Sequence, residues 1–503
     1  MRDAHHIWLT PHRGLVWLLP AAVALVFANG RWQLGLVALA APFFLRLFLL
    51  TQPVVRGLAL GLVIQVAAHI TMWIDIIPAP GWLYYAIAAV YGFTYFLPFV
   101  IDRVVAPRLA GFKSTLVLPL AWFVTEIVVQ RMTPYGSWAS AGYTQAGSPV
   151  LMQITALLGV AGISFGIMWF GSVATWLVVS ETQRRTRIRN GVVWASICAL
   201  VLIGGVVRLA LHDRPYRSVR VAMILPSVEL SRDLNRAMYA SIGSPQDELS
   251  TMELIRDLAR RLNEDLLERS RQEAEAGAQI VVWSELAGRA LKEEEDGWLD
   301  RGRALAQETG VYLFMSLGAW RRGCHPPLEN KVVAITPDGD IAWQHLKARP
   351  IVGAEAHLLP PAHDIVPTLD TPYGRLSAVI CHDLDFPDLV RQAGQQNVNL
   401  LFGPSADWAE IKTIHARMAV TRAVENGFTL VRPTYAGLSV VADPFGRLVA
   451  QSDDIALTEG SFVTQVPVYS LRTVYPTIAG FLSWLAGLAL VGLILMPPRK
   501  KQI

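Results

Sequence analysis

Cys381 closes a short apolar run, Arg375–Ile380, and is followed by His382, Asp383, Leu384, Asp385, Phe386 and Pro387. The run reads as a buried strand. Pro387 presets φ for a first helical turn, and Asp388 suits the positive end of that helix. A thiol at such a junction faces oriented backbone N–H groups, which favour a thiolate and a developing oxyanion. Glu285 ends a second apolar run, Gln279–Ser284, and Lys347 lies just past a hairpin whose turn is Asp338-Gly339. Glu355 follows in a glycine-containing loop. Alone, each has a plain explanation: a buried structural cysteine, or solvated carboxylates and a solvated lysine. Together they are the parts of nucleophilic catalysis. A carboxylate whose pKa burial raises can take the thiol proton, and an ammonium can lower the thiol pKa and meet the oxyanion.

The elements that must hold these groups alternate between strand and helix. Residues 219–225 open with a strand. From Gln246 to Ala276, Met252, Ile255, Leu258, Leu262 and Leu266 recur at helical spacing, with Gly277 as cap. A strand at 279–283, another at 311–317 and a hairpin over Lys331–His345 follow. After the Cys381 strand come a strand at 398–402, a helix over about Ile411–Asn426 capped at Gly427, and a last hairpin. That hairpin pairs Thr429–Arg432 with Leu438–Ala442 and is expected to turn at Asp443-Pro444-Phe445-Gly446. Strands and helices alternate early and hairpins dominate late, which points to a layered α/β sandwich.

The chain around this domain is apolar. Of 503 residues 53% are hydrophobic and only 17% charged, and mean hydropathy is +0.37. That balance indicates a membrane protein. Three cysteines exclude a disulfide framework. Spans are expected near 13–29, 32–50, 56–78, 81–101, 114–130, 161–180, 192–211 and 477–496, each close to the ~20 residues a crossing helix needs. Residues 150–158 are a further apolar piece, re-entrant or interfacial. Basic residues cluster in alternate connections: Arg2 and Arg13; Arg46 and Arg56; Arg103, Arg108 and Lys113; Arg184, Arg185, Arg187 and Arg189; Arg499, Lys500 and Lys501. By the positive-inside rule both termini are cytoplasmic and residues 213–475 lie outside. Three domains result: 1–212 with about seven transmembrane helices, the outer domain 213–475, and 476–503 as a last span and basic tail. His69, Asp75 and Glu126 are the polar residues to weigh within spans. Paired charges deep in several spans, as transport needs, are missing, so the membrane part reads as a platform.

At this point the chain resembles a known family. Glu285 in Val-Val-Trp-Ser-Glu, Lys347 after the Asp-Gly hairpin and Cys381 in Val-Ile-Cys are similar to the Glu-Lys-Cys triad of the nitrilase (carbon–nitrogen hydrolase) superfamily, with Glu355 where it has a second glutamate. Seven spans before such a domain and one after resemble its membrane branch, the apolipoprotein N-acyltransferases. Thr125-Glu126, Ser137-Trp138, Gly142-Tyr143-Thr144-Gln145 and Leu158–Ser164 resemble that branch's membrane segment; Arg432, Gly437-Leu438-Ser439 and Asp443–Arg447 resemble its late hairpin. Cys381-His382-Asp383 stands where the family usually has Cys-Tyr-Glu, and Ser405-Ala406-Asp407-Trp408 where it has Asn-Asp-Ala-Trp-Phe.

The resemblance implies a multi-span α-helical membrane domain plus an αββα sandwich. It implies acyl transfer from a membrane phospholipid, through a Cys381 thioester, to the N-terminal amine of a diacylated lipoprotein at a bacterial cytoplasmic membrane. Glu285 would be general base and acid, Lys347 would stabilise the oxyanion, and Glu355 would assist. His382, Asp383, Trp408, Trp138, Tyr143, Gln145 and Glu126 are candidate substrate-binding residues. No phosphate loop or metal-ligand spacing is present, so no cofactor, metal or nucleic acid is expected, and the chain is read as a monomer. The alternatives are a membrane-anchored amidase or acyltransferase with another acceptor, and a non-catalytic scaffold.

Overall fold

The computed structural model describes residues 11–211, 215–241, 248–321, 323–453 and 460–498. Arg2, Gln246, Arg499, Lys500 and Lys501 lie outside the described residues. The chain divides into two units, residues 1–212 with 477–503, and residues 213–476.

In the first unit and its C-terminal return, six described helices are long and apolar enough to cross a membrane: Val54–Met72, Gly81–Arg108, Gly111–Met132, Val160–Val179, Arg184–Ala210 and Tyr475–Leu495. The runs expected at 13–29 and 32–50 form shorter helices, Leu15–Val26 and Gly35–Thr51. The break between them is local. Asn29 caps a 3₁₀ turn by accepting from the Gly30 N–H at 2.8 Å, and Gly30 has φ +71°, with a Cβ there reaching 2.2 Å from the Met72 carbonyl. At ~1.5 Å per residue, the second helix then reaches roughly 26 Å against a core of ~30 Å. Residues 150–158 form two short helical turns, Pro149–Met152 and Thr155–Leu158. Arg46, grouped above with loop charges, is buried and pairs with Asp102 at 2.7 Å. It ties two helices together instead of marking a loop. Val160–Val179 is central and mostly buried, whereas Arg184–Ala210 leaves its apolar side chains exposed, as a lipid-facing helix does.

The second unit holds the sandwich. Its first sheet uses β1 (Arg217–Ile224), β2 (Ile280–Trp283), β3 (Gly288–Leu291), β4 (Tyr312–Trp320), β5 (Leu328–Ile335) and β6 (Ile341–Leu346). The second uses β7 (Thr368–Thr371), β8 (Gly374–Ala378), β9 (Leu400–Phe402), β11 (Thr429–Arg432), β13 (Leu438–Ala442) and β14 (Leu448–Asp453). A ribbon of β10 (Ser405–Ala406) and β12 (Thr434–Tyr435) stands apart, and β15 (Ser461–Val468) returns to pair with β1. The orders are β15-β1-β2-β4-β5-β6, with β3 on β4, and β14-β13-β11-β9-β8-β7.

Side-chain alternation explains the layers. Along β1, Val219, Val221 and Met223 face the second sheet, where Leu376, Phe402, Val431 and Val441 meet them. Ala222 and Ile224 face the other way, onto helices Glu248–Glu275 and Glu295–Thr309. Phe314 and Phe402 join the two sheets with ring centroids 4.5 Å apart, each such burial worth about 1.5–3 kcal/mol. Helix Lys412–Asn426 packs on β11 and β13 and completes the αββα order. One expectation is corrected. β11 and β13 do pair, but Asp443–Gly446 follows β13 and leads into β14, because Asp443 Oδ1 accepts from the Phe445 and Arg447 N–H groups and closes the turn there.

Candidate active site

Glu285, Lys347 and Cys381 come together, all buried. Glu285 lies just past β2, where Leu286 takes φ +52°. Lys347 is the first residue after β6, and its N–H donates to the Asn330 carbonyl at 2.8 Å. Asn330 on β5 also donates from Nδ2 to Glu285 Oε1 at 2.8 Å, so one strand residue sets both catalytic candidates. Lys347 Nζ donates to Glu285 Oε1 at 2.8 Å and to Glu355 Oε1. Glu285 Oε2 accepts from the Ala406 N–H at 2.9 Å.

Cys381 opens a 3₁₀ turn, Cys381–Asp385, between β8 and helix Pro387–Gln395. Its φ is +48°. Three of the five non-glycine residues with positive φ among those described, Leu286, Cys381 and Ala436, border this site. Each such conformation costs roughly 1–3 kcal/mol and persists only where the surroundings enforce it. Asp383 enforces the Cys381 turn. It accepts from the Ile380 N–H at 2.9 Å, the Arg349 N–H at 2.7 Å and His345 Nε2 at 3.2 Å. It therefore links the turn to the segment after Lys347. His382 Nδ1 pairs with the Arg349 carbonyl at 2.9 Å, reinforcing the link.

The electrostatics differ from the sequence expectation in one respect. Burial pushes the Cys381 thiol well above its ordinary value, and Glu285 adds to this; Lys347 pulls down but does not prevail. The resting group is a thiol, so its proton must leave as the sulfur attacks. Lys347 sits well above the ordinary lysine value, because Glu285, Glu355 and Cys381 outweigh the opposing effect of burial. It stays cationic.

Behind Cys381 lies a second buried network. His415 Nδ1 is 2.7 Å from Asp407 Oδ1, and its Nε2 is 3.3 Å from Asp385 Oδ2. Arg432 Nη2 donates to both Asp407 oxygens at 2.9 and 3.1 Å. Burial opposes a charge on His415, yet Asp385 and Asp407 hold its pKa at about 9. Burial likewise opposes the Asp407 charge, but Arg432 and His415 bring its pKa to about 2. Cys381, Asp407 and His415 lie close enough to share a cation; the Arg432 guanidinium is the cation found there.

A cavity of about 210 Å³ opens on Glu285 and Ala406, walled by Pro226, Met238, Leu286, Trp320 and Tyr435 among others. Ser231, Asn235 and Arg289 add polar groups to its wall, and of the three candidates Glu285 is the one that lines it. Residues 238–472 match the carbon-nitrogen hydrolase family, and residues 20–173 match the apolipoprotein N-acyltransferase N-terminal domain. The chain is similar to the apolipoprotein N-acyltransferases. It is 24% identical to the apolipoprotein N-acyltransferase of Geobacter metallireducens over 67% of this chain and 66% of the relative. For that of Pseudomonas syringae pv. tomato the values are 25%, 66% and 62%, and for that of Haemophilus influenzae 21%, 72% and 73%. The match thus spans slightly under two thirds of the first two relatives' length. An amidase from Nesterenkonia sp. is similar at 21% identity over 51% of this chain and 93% of its own, with a TM-score of 0.39.

The other candidates fall in two places. Trp408 is half-buried beside Asp407. In the membrane unit, Trp138 is half-buried, Tyr143 and Gln145 are buried, and Tyr143 Oη bonds Ser137 Oγ at 2.7 Å. Glu126 is wholly buried and accepts from Trp122 Nε1 at 2.9 Å, Ser164 Oγ at 3.0 Å and Ser140 Oγ. It pins the 134–145 loop to two helices. Asn330, Asp385 and His415 were missed. Asn330 stands between Glu329 and Lys331, His415 in a helix of mixed polarity and Asp385 in a turn, so none breaks a pattern, and only the folded topology brings them to Cys381.

Proposed function

We propose that this chain moves a fatty acyl chain from a membrane phospholipid, through a thioester on Cys381, to the N-terminal amine of a diacylated lipoprotein. The observation that carries the reading is a neutral, strained Cys381 beside a carboxylate that Lys347 and Asn330 hold in place. Glu285 takes the Sγ proton as sulfur attacks the ester carbonyl, and Lys347 Nζ meets the oxyanion. Glu285 returns the proton to the departing lysophospholipid oxygen, leaving the thioester. The acceptor amine then attacks, Glu285 collects its proton, and the thiol is restored. Glu355 holds Lys347 from the other side. The catalytic unit works on the extracytoplasmic side of a bacterial inner membrane with both termini cytoplasmic, a reading supported by the alternating basic clusters. Reporter fusions at Arg187 and Asp338 should then mark opposite sides.

The test is the fate of the thioester. A thioester open to water hydrolyses unless an amine arrives first. With phospholipid alone, acyl-Cys381 should persist in mass spectra; a diacylated peptide with a free N-terminal cysteine amine should discharge it. The amine-blocked peptide should not. Decay at one rate in all three conditions makes the chain a hydrolase instead.

A further inference from the structure

The Asp385–His415–Asp407 group sets a carboxylate beside each ring nitrogen of one buried histidine. Nδ1 lies 2.7 Å from Asp407 Oδ1 and 2.8 Å from Arg432 Nη2, and Nε2 lies 3.3 Å from Asp385 Oδ2. Two carboxylates against one guanidinium leave the ring in net negative surroundings, which favour the imidazolium.

Its partners lie on the two segments that must meet for reaction. Asp385 ends the turn that Cys381 begins. Asp407 follows Ala406, whose N–H holds Glu285 and whose carbonyl lies 3.7 Å from Cys381 Sγ. A Cβ on Gly437 would come 2.7 Å from Asp407 Cβ, so the chain leaves room there for this aspartate. His415 itself is fixed on helix Lys412–Asn426.

We propose that His415, as an imidazolium, is a positioning residue that ties the Cys381 turn to the Ala406–Glu285 contact, and that acylation of Cys381 depends on this tie. The inference rests on the acyl-transfer reading of Cys381. Its pKa near 9 places loss of the tie in an accessible range. The groups facing the ring are Asp385, Cys381 and His382 from the turn, Asp407 from the segment after β10, and Arg432 from β11. Of these, Cys381 would push the rate the other way, since a thiol that ionises more as pH rises speeds attack.

The experiment uses the full chain with phospholipid and no acceptor, following acyl-Cys381 by intact mass from about pH 6 to about 10. The acylation rate should fall as pH rises through about 9, with the KM for phospholipid unchanged. Asp385→Asn keeps an acceptor for Nε2 but removes a charge, so the fall should move down by about 1–3 pH units. His415→Gln, shown folded by its melting transition, should acylate at least about 10-fold more slowly. A wild-type pH profile with the same shape as that of His415→Gln overturns the proposal, because the Cys381 contribution is common to both. So does an unmoved fall in Asp385→Asn, or a wild-type rate in His415→Gln. No thioester at any pH overturns the acyl-transfer reading, and this one with it.

Discussion

Two buried glutamates, one in each unit, show how a carboxylate that closes a loop differs from the one proposed to act as a base. Glu126 in the membrane unit is held by neutral donors: an indole N–H and serine hydroxyls. Its hydrogen bonds close a loop onto two helices. Glu285 is held by an ammonium, an amide and a backbone N–H. Those partners connect it to Cys381 through Ala406 and Lys347. Burial alone therefore does not single out a catalytic candidate; a cationic partner shared with a buried cysteine does.

The largest test of that contrast is to remove the chemistry and keep the shape. Cys381→Ala should abolish acyl transfer, by about 10⁴-fold or more. Glu285→Gln keeps the hydrogen-bonding outline but cannot carry the proton, and should cost about 10²–10⁴-fold. Both variants should melt near the wild type. Full activity in Cys381→Ala would remove the nucleophile from the scheme.

Glu126→Gln is the matching change in the other unit. One acceptor oxygen is replaced by a donor facing hydroxyls, so stability should drop by about 1–3 kcal/mol. The folded fraction should still form acyl-Cys381. If the thioester disappears while the melting transition is unchanged, Glu126 belongs to the chemistry and the contrast fails.

How the two units read from sequence follows from the same physics. Glu285, Lys347 and Cys381 were visible because each ends an apolar strand, where a charged or reactive group breaks the pattern. Glu126 was visible as a polar residue in an apolar span, but its partners Ser140 and Ser164 were not, since serines carry no periodicity. His415 sits in the first turn of helix Lys412–Asn426 and Asp385 in a turn before Pro387, so ordinary helix and cap explanations absorbed them. The strands β14 and β15 mix polar and apolar residues at sheet edges and gave no clean alternation. The break at Asn29-Gly30 was legible as the gap between the runs 13–29 and 32–50, but the shortness of the two helices was not. The close approach to the Met72 carbonyl shows why a glycine stands there.

A smaller effect concerns pH and stability in the charged unit. His415 has a folded pKa of about 9 against an ordinary 6.5. A group raised in this way contributes stability that is full below about 6.5 and is lost as pH rises through about 9. The melting temperature of the wild type should therefore exceed that of His415→Gln at pH 6 by more than it does near pH 9.5. An equal gap at both values would mean that His415 is not charged in the folded protein.

The smallest effect belongs to the cysteines. Cys324 is exposed in a loop that follows β4, whereas Cys381 is 2% exposed with a thiol pushed upward by burial and by Glu285. The thiolate is the reactive form, so a maleimide at neutral pH should modify Cys324 long before Cys381. Cys324→Ser should leave acyl transfer unchanged, and so should one equivalent of label on the wild type. Cys198, half-buried on helix Arg184–Ala210, should label slowly as well. Accessibility and catalytic competence would then run in opposite order along this chain: the freely labelled thiol does no chemistry, and the one that attacks does so only when Glu285 takes its proton. Activity falling in step with the first equivalent of label would show that Cys381 is open and already ionised. That result would undo the assignment of Glu285 as its base.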